Sequence, residues 1–575
     1  MTDGNTTTPP LRLEDIQHWT QVIGRAQQLM LEHSFKAMDD APPVWQKMVE
    51  SNPVLHAQSE FWAESIALWQ RFINPEVAPP VHPEADKDKR FNAPQWRDNP
   101  AFDLIRQSYL LIADHLLKGV EAIEGLDPQQ HEQIRFTTRN FVDAMSPSNF
   151  PLTNPVVIEK TLETKGENLV EGLKHMLDDI HKGQLTHTDP NAFHVGENIA
   201  VTPGKVIHET PLYQLIQYTP TTEKVLKTPL IIFPPWINRF YILDLKPEKS
   251  FIRWAVEQGI TVFMVSWKSA DASMADIFWE DYVIGGQVDA IDTVCELLDV
   301  KSVHTVGYCV AGTTLAATLA WLAARKQQRK VKSATFFTAQ VDFTRAGDLK
   351  NFVDENYLAL IDQLVTDGYL DGRYMATTFN LLRGRDLIWN YVTNNYLLGN
   401  DYAPFDLLFW NGHTTNLPAK WHRSYLVDLY RDNKLVQPGA LKIDGTPIDL
   451  SKVKTPSYIQ AGREDHIAPP ASVWKITEHF QGPIRFVLAG SGHIAGVVNP
   501  PSAHKYQYWL NDAQVRNYED FVATAHEHKG SWWPDWLVWL REQGSAEVPA
   551  IGARIPGEGA LKAIEDAPGR YVKAA

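Results

Sequence analysis

Through the first third of the chain apolar residues recur at three- and four-residue spacing, in stretches such as Phe61–Trp69, Asp103–Lys118 and Val156–His181. That period predicts a helical domain over residues 13–190, preceded by a disordered polar tail at residues 1–12. A polar, Pro-rich stretch at Val77–Lys89 interrupts it. A later loop ends in Asn154-Pro155, a capping residue and a proline placed to open the next helix. After Lys182 the texture changes. Ile199–Val201, Lys205–His208 and Tyr213–Tyr218 alternate like short antiparallel strands. Continuous apolar runs follow at Leu230–Phe233, Ile260–Val265, Val303–Val306, Ala334–Phe337, Tyr458–Ile459 and Ile484–Leu488. Helical stretches, Phe251–Glu257, Asp289–Leu298 and Thr313–Arg325 among them, separate several of these runs. Apolar strands alternating with helices predict an α/β domain over 191–575, with a parallel sheet covered on both faces. The alternation breaks over about 341–450, an aromatic-rich stretch that reads as a cap inserted into that domain.

Composition narrows the field. A 575-residue chain with 44% hydrophobic and 21% charged residues is globular and long enough for about two to four domain-sized pieces. With 54 Lys+Arg against 69 Asp+Glu the net charge is −15, which argues against nucleic-acid binding. Cys295 and Cys309 are the only cysteines, too few for a disulfide framework, so a reducing compartment is expected. The first ten residues do not resemble a signal peptide, and no apolar run is long enough for a transmembrane segment. A cytoplasmic location follows as the expectation.

The chemistry centres on Gly307-Tyr308-Cys309-Val310-Ala311-Gly312, set between an apolar run and a helix. Strand, sharp turn and helix make a nucleophile elbow, with cysteine where hydrolases usually carry serine. A thiol there suits acyl-thioester intermediates, so an acyltransferase is the first expectation. A buried structural thiol is the bland alternative, and it is the better reading for Cys295, mid-helix among apolar neighbours. A thiol nucleophile needs a base and a group to orient that base. In the chain order nucleophile, acid, histidine, the candidates are Asp465 in Gly462-Arg-Glu-Asp465-His466 and His493 in Gly490-Ser-Gly-His493. Asp444, Asp449 and Glu464 are rival carboxylates, and His466 reads as a supporting group. The oxyanion hole should use the backbone N–H of Val310 and that of Trp236 or Ile237, because Pro234 and Pro235 have none to give. His526-Glu-His528 lacks metal-site spacing and reads as a solvated helix end; no metal is expected.

These residues sit among further motifs: Phe193-His-Val-Gly-Glu-Asn, Pro234-Pro-Trp-Ile-Asn-Arg-Phe-Tyr, Phe405-Asp-Leu-Leu-Phe-Trp-Asn411 with Thr415-Asn-Leu-Pro418, and Gly530-Ser-Trp-Trp-Pro534. From about residue 50 onward the chain resembles the class I polyhydroxyalkanoate (PHA) synthases. The resemblance implies an α/β-hydrolase fold and polymerisation of (R)-3-hydroxyacyl-CoA with release of CoA, the thioester being substrate and no cofactor needed. It implies Cys309, Asp465 and His493 as the triad, with Asp465 either orienting His493 or assisting deprotonation of the 3-hydroxyl. Trp410 and Ala495 become candidate pocket residues. A growing PHA chain, the granule surface, granule-associated proteins and a second copy in a homodimer are the implied partners. Three positions depart from the family pattern: Ala311 replaces the first of two glycines, His413 a common Asp, and Ser269-Ala270 the usual Asn-Pro. A cysteine thioesterase or polyester depolymerase shares the triad, and an inactive granule-coating protein is the non-enzymatic alternative.

Overall fold

Consecutive apolar runs in the second half of the chain become the buried centre of an eleven-stranded sheet. The computed structural model describes Leu68 and residues 87–574, apart from 366, 512 and 514. The expected tail at 1–12 and the expected helical stretches before residue 87, Leu68 excepted, lie outside the described residues. The chain divides into two units, one running to Asp178 and taking in Arg383–Asn400, the other comprising Asp179–Leu382 and Asp401–Ala575.

The first unit is helical. Helices α1 (Pro100–Glu121), α2 (Pro128–Ala144) and α3 (Pro155–Glu163) each begin with a proline behind a capping side chain. The Asn154 side chain accepts from the N–H groups of Val156 (3.0 Å) and Val157 (3.4 Å), as the Asn-Pro pair predicts. A fourth helix, α4 (Glu167–Lys182), spans the boundary between the units. Phe91, Trp96, Tyr109, Leu110, Ala113 and Val142 form a small core. Arg383–Asn400 lies within the stretch expected as a cap, yet it groups with this helical unit through Arg385 on Asp143 (2.8 Å) and Leu397 O on Asn168 Nδ2 (2.8 Å).

The second unit carries the sheet: β1 (Gly204–Glu209), β2 (Tyr213–Tyr218), β3 (Leu230–Phe233), β4 (Val262–Trp267), β5 (Val303–Tyr308), β6 (Val331–Phe337), β7 (Ser457–Gly462), β8 (Ile484–Ala489), β9 (Gln507–Leu510), β10 (His526–Lys529) and β11 (Glu565–Asp566). Their spatial order is β10-β9-β8-β7-β6-β5-β3-β4-β2-β1-β11. From β4 to β8 every pairing is parallel, and the strands on either side are antiparallel. Residues of β3, β4, β5 and β7 are buried throughout, which is why their sequences show no alternation.

Two expectations fail locally. Ile199–Val201 forms no strand, because Ala200 turns at φ 58° and its N–H donates to the carbonyls of Asp244 and Leu245; only Ile199 bridges to Val195. His526-Glu-His528 lies on the exposed outermost strand rather than at a helix end, held by β9. Among the described residues no helix is long and apolar enough to cross a membrane.

Candidate active site

The carboxyl ends of β5, β7 and β8 bring three distant residues together. β5 passes through Cys309 directly into helix α5 (Val310–Ala324), which is apolar on all sides and almost wholly buried. Cys309 sits at φ 52°, ψ −126°, a conformation few non-glycine residues adopt. The elbow is this tight because strand and helix nearly touch. A Cβ at Gly307 would meet Gly312 Cα at 2.6 Å, and one at Gly312 would meet Ala339 Cβ at 2.4 Å and Gly307 O at 2.7 Å.

Asp465 follows β7, and His493 follows β8. One Asp465 oxygen accepts from the N–H groups of Ile467 and Ala468, both at 2.9 Å, and the other meets His493 Nδ1 at 2.7 Å. Nε2 is left free of the carboxylate, and the ring borders the same cavity as the Cys309 thiol. Burial opposes charge on the ring. The Asp465 carboxylate and the Cys309 sulfur outweigh it, and His493 is pushed up to about 10. The rival carboxylates are engaged elsewhere: Asp444 pairs with Arg325 at the surface, Asp449 caps Ser451, and Glu464 is exposed.

Above the thiol lies a cavity of about 80 Å³. Cys309, Val310, Ile237 and His493 line it, together with Leu349, Phe379, Trp410, Tyr425 and Tyr430 from the aromatic-rich stretch. Burial keeps the Tyr425 and Tyr430 phenols neutral, with the nearby Cys309 adding to the effect.

Residues 87–255 match the N-terminal model of poly-beta-hydroxybutyrate polymerase (PhaC), and residues 230–500 match the alpha/beta hydrolase fold. The poly(3-hydroxyalkanoate) polymerase of Methylorubrum extorquens is 47% identical over 90% of this chain and 86% of its own. Poly(3-hydroxyalkanoate) polymerase subunits PhaC from Rhizobium etli and Cupriavidus necator are 46% and 43% identical, each over 90% of this chain and over 82% and 88% of their own. The chain belongs to the poly(3-hydroxyalkanoate) polymerase family.

Against the expected pattern for this polymerase family, the three departures have physical accounts. The close strand–helix contact falls on Gly312, one residue past Ala311, whose carbonyl accepts from Gln287 Nε2 at 2.9 Å. His413 is pushed down to about 3 by burial and by Arg239, so a neutral ring meets the Tyr241 hydroxyl at 2.9 Å. Ser269 Oγ accepts from Asn416 N at 3.0 Å, and the Ala270 carbonyl accepts from Asn416 Nδ2 at 3.1 Å.

Of the two oxyanion candidates on the Pro-Pro loop, Ile237 borders the cavity. Trp236 turns away to stack on Tyr282, with ring centroids 3.9 Å apart. Among the described residues neither the Val310 nor the Ile237 N–H has a protein acceptor. Trp410 lines the cavity, and beside His493 it is Ile494 rather than Ala495 that does so. His466 contributes its carbonyl to Asp348 N at 3.1 Å. Cys295 is half-buried on the helix Asp289–Leu298, where burial pushes its thiol up to about 11.

Three features around the elbow and the histidine loop had no legible role in the sequence. The Tyr308 hydroxyl donates to the His493 carbonyl at 3.0 Å. Trp532 and Trp533 donate through Nε1 to the carbonyls of Gly496 (2.8 Å) and Val497 (2.9 Å), pinning the histidine loop. Thr338 is fully buried at φ 41°, a strained position for a β-branched residue, and its hydroxyl has no partner among the described residues. Among those residues no group of three or more His, Cys, Asp or Glu side chains is placed to hold a metal.

Proposed function

We propose that this chain polymerises (R)-3-hydroxyacyl-CoA through an acyl-Cys309 intermediate. The observation that carries the reading is a strained cysteine that lines one cavity with a histidine whose Nδ1 is fixed by a buried carboxylate. His493 holds the proton given up by the thiol as the sulfur attacks the thioester carbonyl. Negative charge on the carbonyl oxygen is met by the N–H groups of Val310 and Ile237. The carbon–sulfur bond to CoA then breaks, and the imidazolium returns its proton to the departing thiolate. Thioester-for-thioester exchange is close to isoenergetic, so the acyl group stays activated without any cofactor. In the second half, His493 takes the proton of another unit's 3-hydroxyl, whose oxygen attacks the Cys309 thioester. An oxoester forms and the thiol is restored. One Asp465 oxygen meets His493 Nδ1 and the other accepts two backbone N–H groups, which supports a role in orienting His493.

The cavity of about 80 Å³ over Cys309 is walled by Leu349, Phe379, Trp410, Tyr425 and Tyr430. A hydroxyacyl group with its pantetheine arm needs more room, so the residues roofing Cys309 must move, and their closed state excludes competing water. Labelling of Cys309 should therefore change when a substrate analogue binds; equal labelling with and without it would remove the moving cap. Contact with a granule surface is supported by α4, where Val170, Leu173, Leu177 and Ile180 form an exposed apolar stripe. The deciding measurement is CoA release from 3-hydroxybutyryl-CoA by the wild type and by Cys309→Ala, with the product identified. Insoluble polyester from the wild type alone is expected. Free hydroxyacid instead would make the protein a thioesterase, and absence of CoA release would make it a granule coat.

A further inference from the structure

The loop carrying Ile237 is held by one buried cation. Arg239 is 2% exposed, and among the described residues no carboxylate pairs with it. Its guanidinium donates instead to three backbone carbonyls: Nη1 to Tyr571 O (3.1 Å), and Nη2 to Thr414 O (2.9 Å) and Ala574 O (2.5 Å). Burial lowers it to about 10, so it remains charged at neutral pH. A buried cation met by carbonyl dipoles alone among the described residues, with its Nε unbonded there, is a poor way to fill space, since a hydrophobic side chain of similar volume does so without desolvating a charge. Its geometry is informative. The planar fork reaches two separate chain segments at once, which the single point charge of a lysine does not reproduce.

Both sides of Ile237 are tied to the same neighbouring segment, Trp410–Thr415. Trp236 O accepts from Thr415 Oγ1 at 2.7 Å, Asn238 bridges to Thr414, and Arg239 O accepts from Trp410 Nε1 at 2.6 Å. We infer that Arg239 is a positioning residue for acyl transfer, fixing the Ile237 N–H where the oxyanion develops by clamping its loop to Thr414 and to the Tyr571–Ala574 segment. This rests on the acyl-cysteine reading above and adds a residue that touches no reacting atom.

The test separates oxyanion stabilisation from general loss of structure. Single-turnover CoA release is measured beside the rate of iodoacetamide alkylation on the Cys309 peptide, a displacement that develops no oxyanion. For Arg239→Lys, CoA release should fall by about ten- to a hundredfold, less than or comparable to deleting an oxyanion donor. Alkylation should stay within about twofold of the wild type. Thr415→Val, which loosens the same loop without touching a charge, should shift CoA release in the same direction by a smaller factor, and it carries the test if the lysine variant does not fold. CoA release unchanged in both variants, or falling in parallel with alkylation, overturns the inference while leaving the acyl-cysteine reading intact. CoA release that survives in Cys309→Ala overturns both.

Discussion

Gly312→Ala should cost activity more than stability, and Ala311→Gly stability more than activity. An added methyl at 312 would sit 2.4 Å from Ala339 Cβ and 2.7 Å from Gly307 O, where carbon contacts ordinarily lie at about 3.5–4.0 Å. The start of α5 must therefore retreat by about 1 Å, at an overpacking cost of about 1–3 kcal/mol. Alanine regains about 1 kcal/mol of helix propensity over glycine, so the net loss of stability is about 0–2 kcal/mol. Cys309 and Val310 move with the helix, however, and a misplacement of about 1 Å can cost about a hundredfold in rate. Ala311→Gly reverses the balance. It removes a fully buried methyl, worth about 0.8 kcal/mol, and about 1 kcal/mol of propensity, but leaves the Gly307–Gly312 contact alone. Its CoA release should stay within about threefold of the wild type while its urea midpoint drops further than that of Gly312→Ala. Equal activities in the two variants would refute the placing of the critical contact at Gly312.

Asp465→Asn should lower CoA release by about a thousandfold or more, since the imidazole loses the acceptor that holds its tautomer. The same variant should flatten the pH dependence of stability. His493 is raised from 6.5 to about 10 in the folded protein, so its contribution is complete below pH 6.5 and is lost as pH climbs through 10. At 1.36 kcal/mol per pKa unit that is at most about 5 kcal/mol, and urea midpoints at pH 7 and 10 should converge in the variant. Tyr308→Phe leaves the His493 carbonyl without its 3.0 Å donor and should cost about 1–2 kcal/mol in urea unfolding. No change in its midpoint would mean that water replaces the phenol.

Much of the site was legible because its residues mark chain direction changes. Cys309, Asp465 and His493 each follow an apolar run that can only be a buried strand, and a parallel sheet gathers such ends at one edge. Helix caps such as Asn154-Pro155 are equally local, so they too can be read from adjacent residues. Ile199–Val201 misled because alternation over three residues says nothing about Ala200, whose turn is fixed by carbonyls more than forty residues away. His526–His528 misled for the same reason: an exposed edge strand has no buried face to imprint a period.

Sequence alone determined which side chains could do the chemistry and the order in which strands deliver them, since both depend on residue type and short-range pattern. Tertiary structure alone decided that Ile237 rather than Trp236 faces the cavity, that Ile494 rather than Ala495 lines it, and that Gly312 carries the close contact. Adjacent residues in a loop differ only in the direction they point. That direction is set by packing against segments remote in the chain, here Tyr282 stacked on Trp236 and Ala339 beside Gly312.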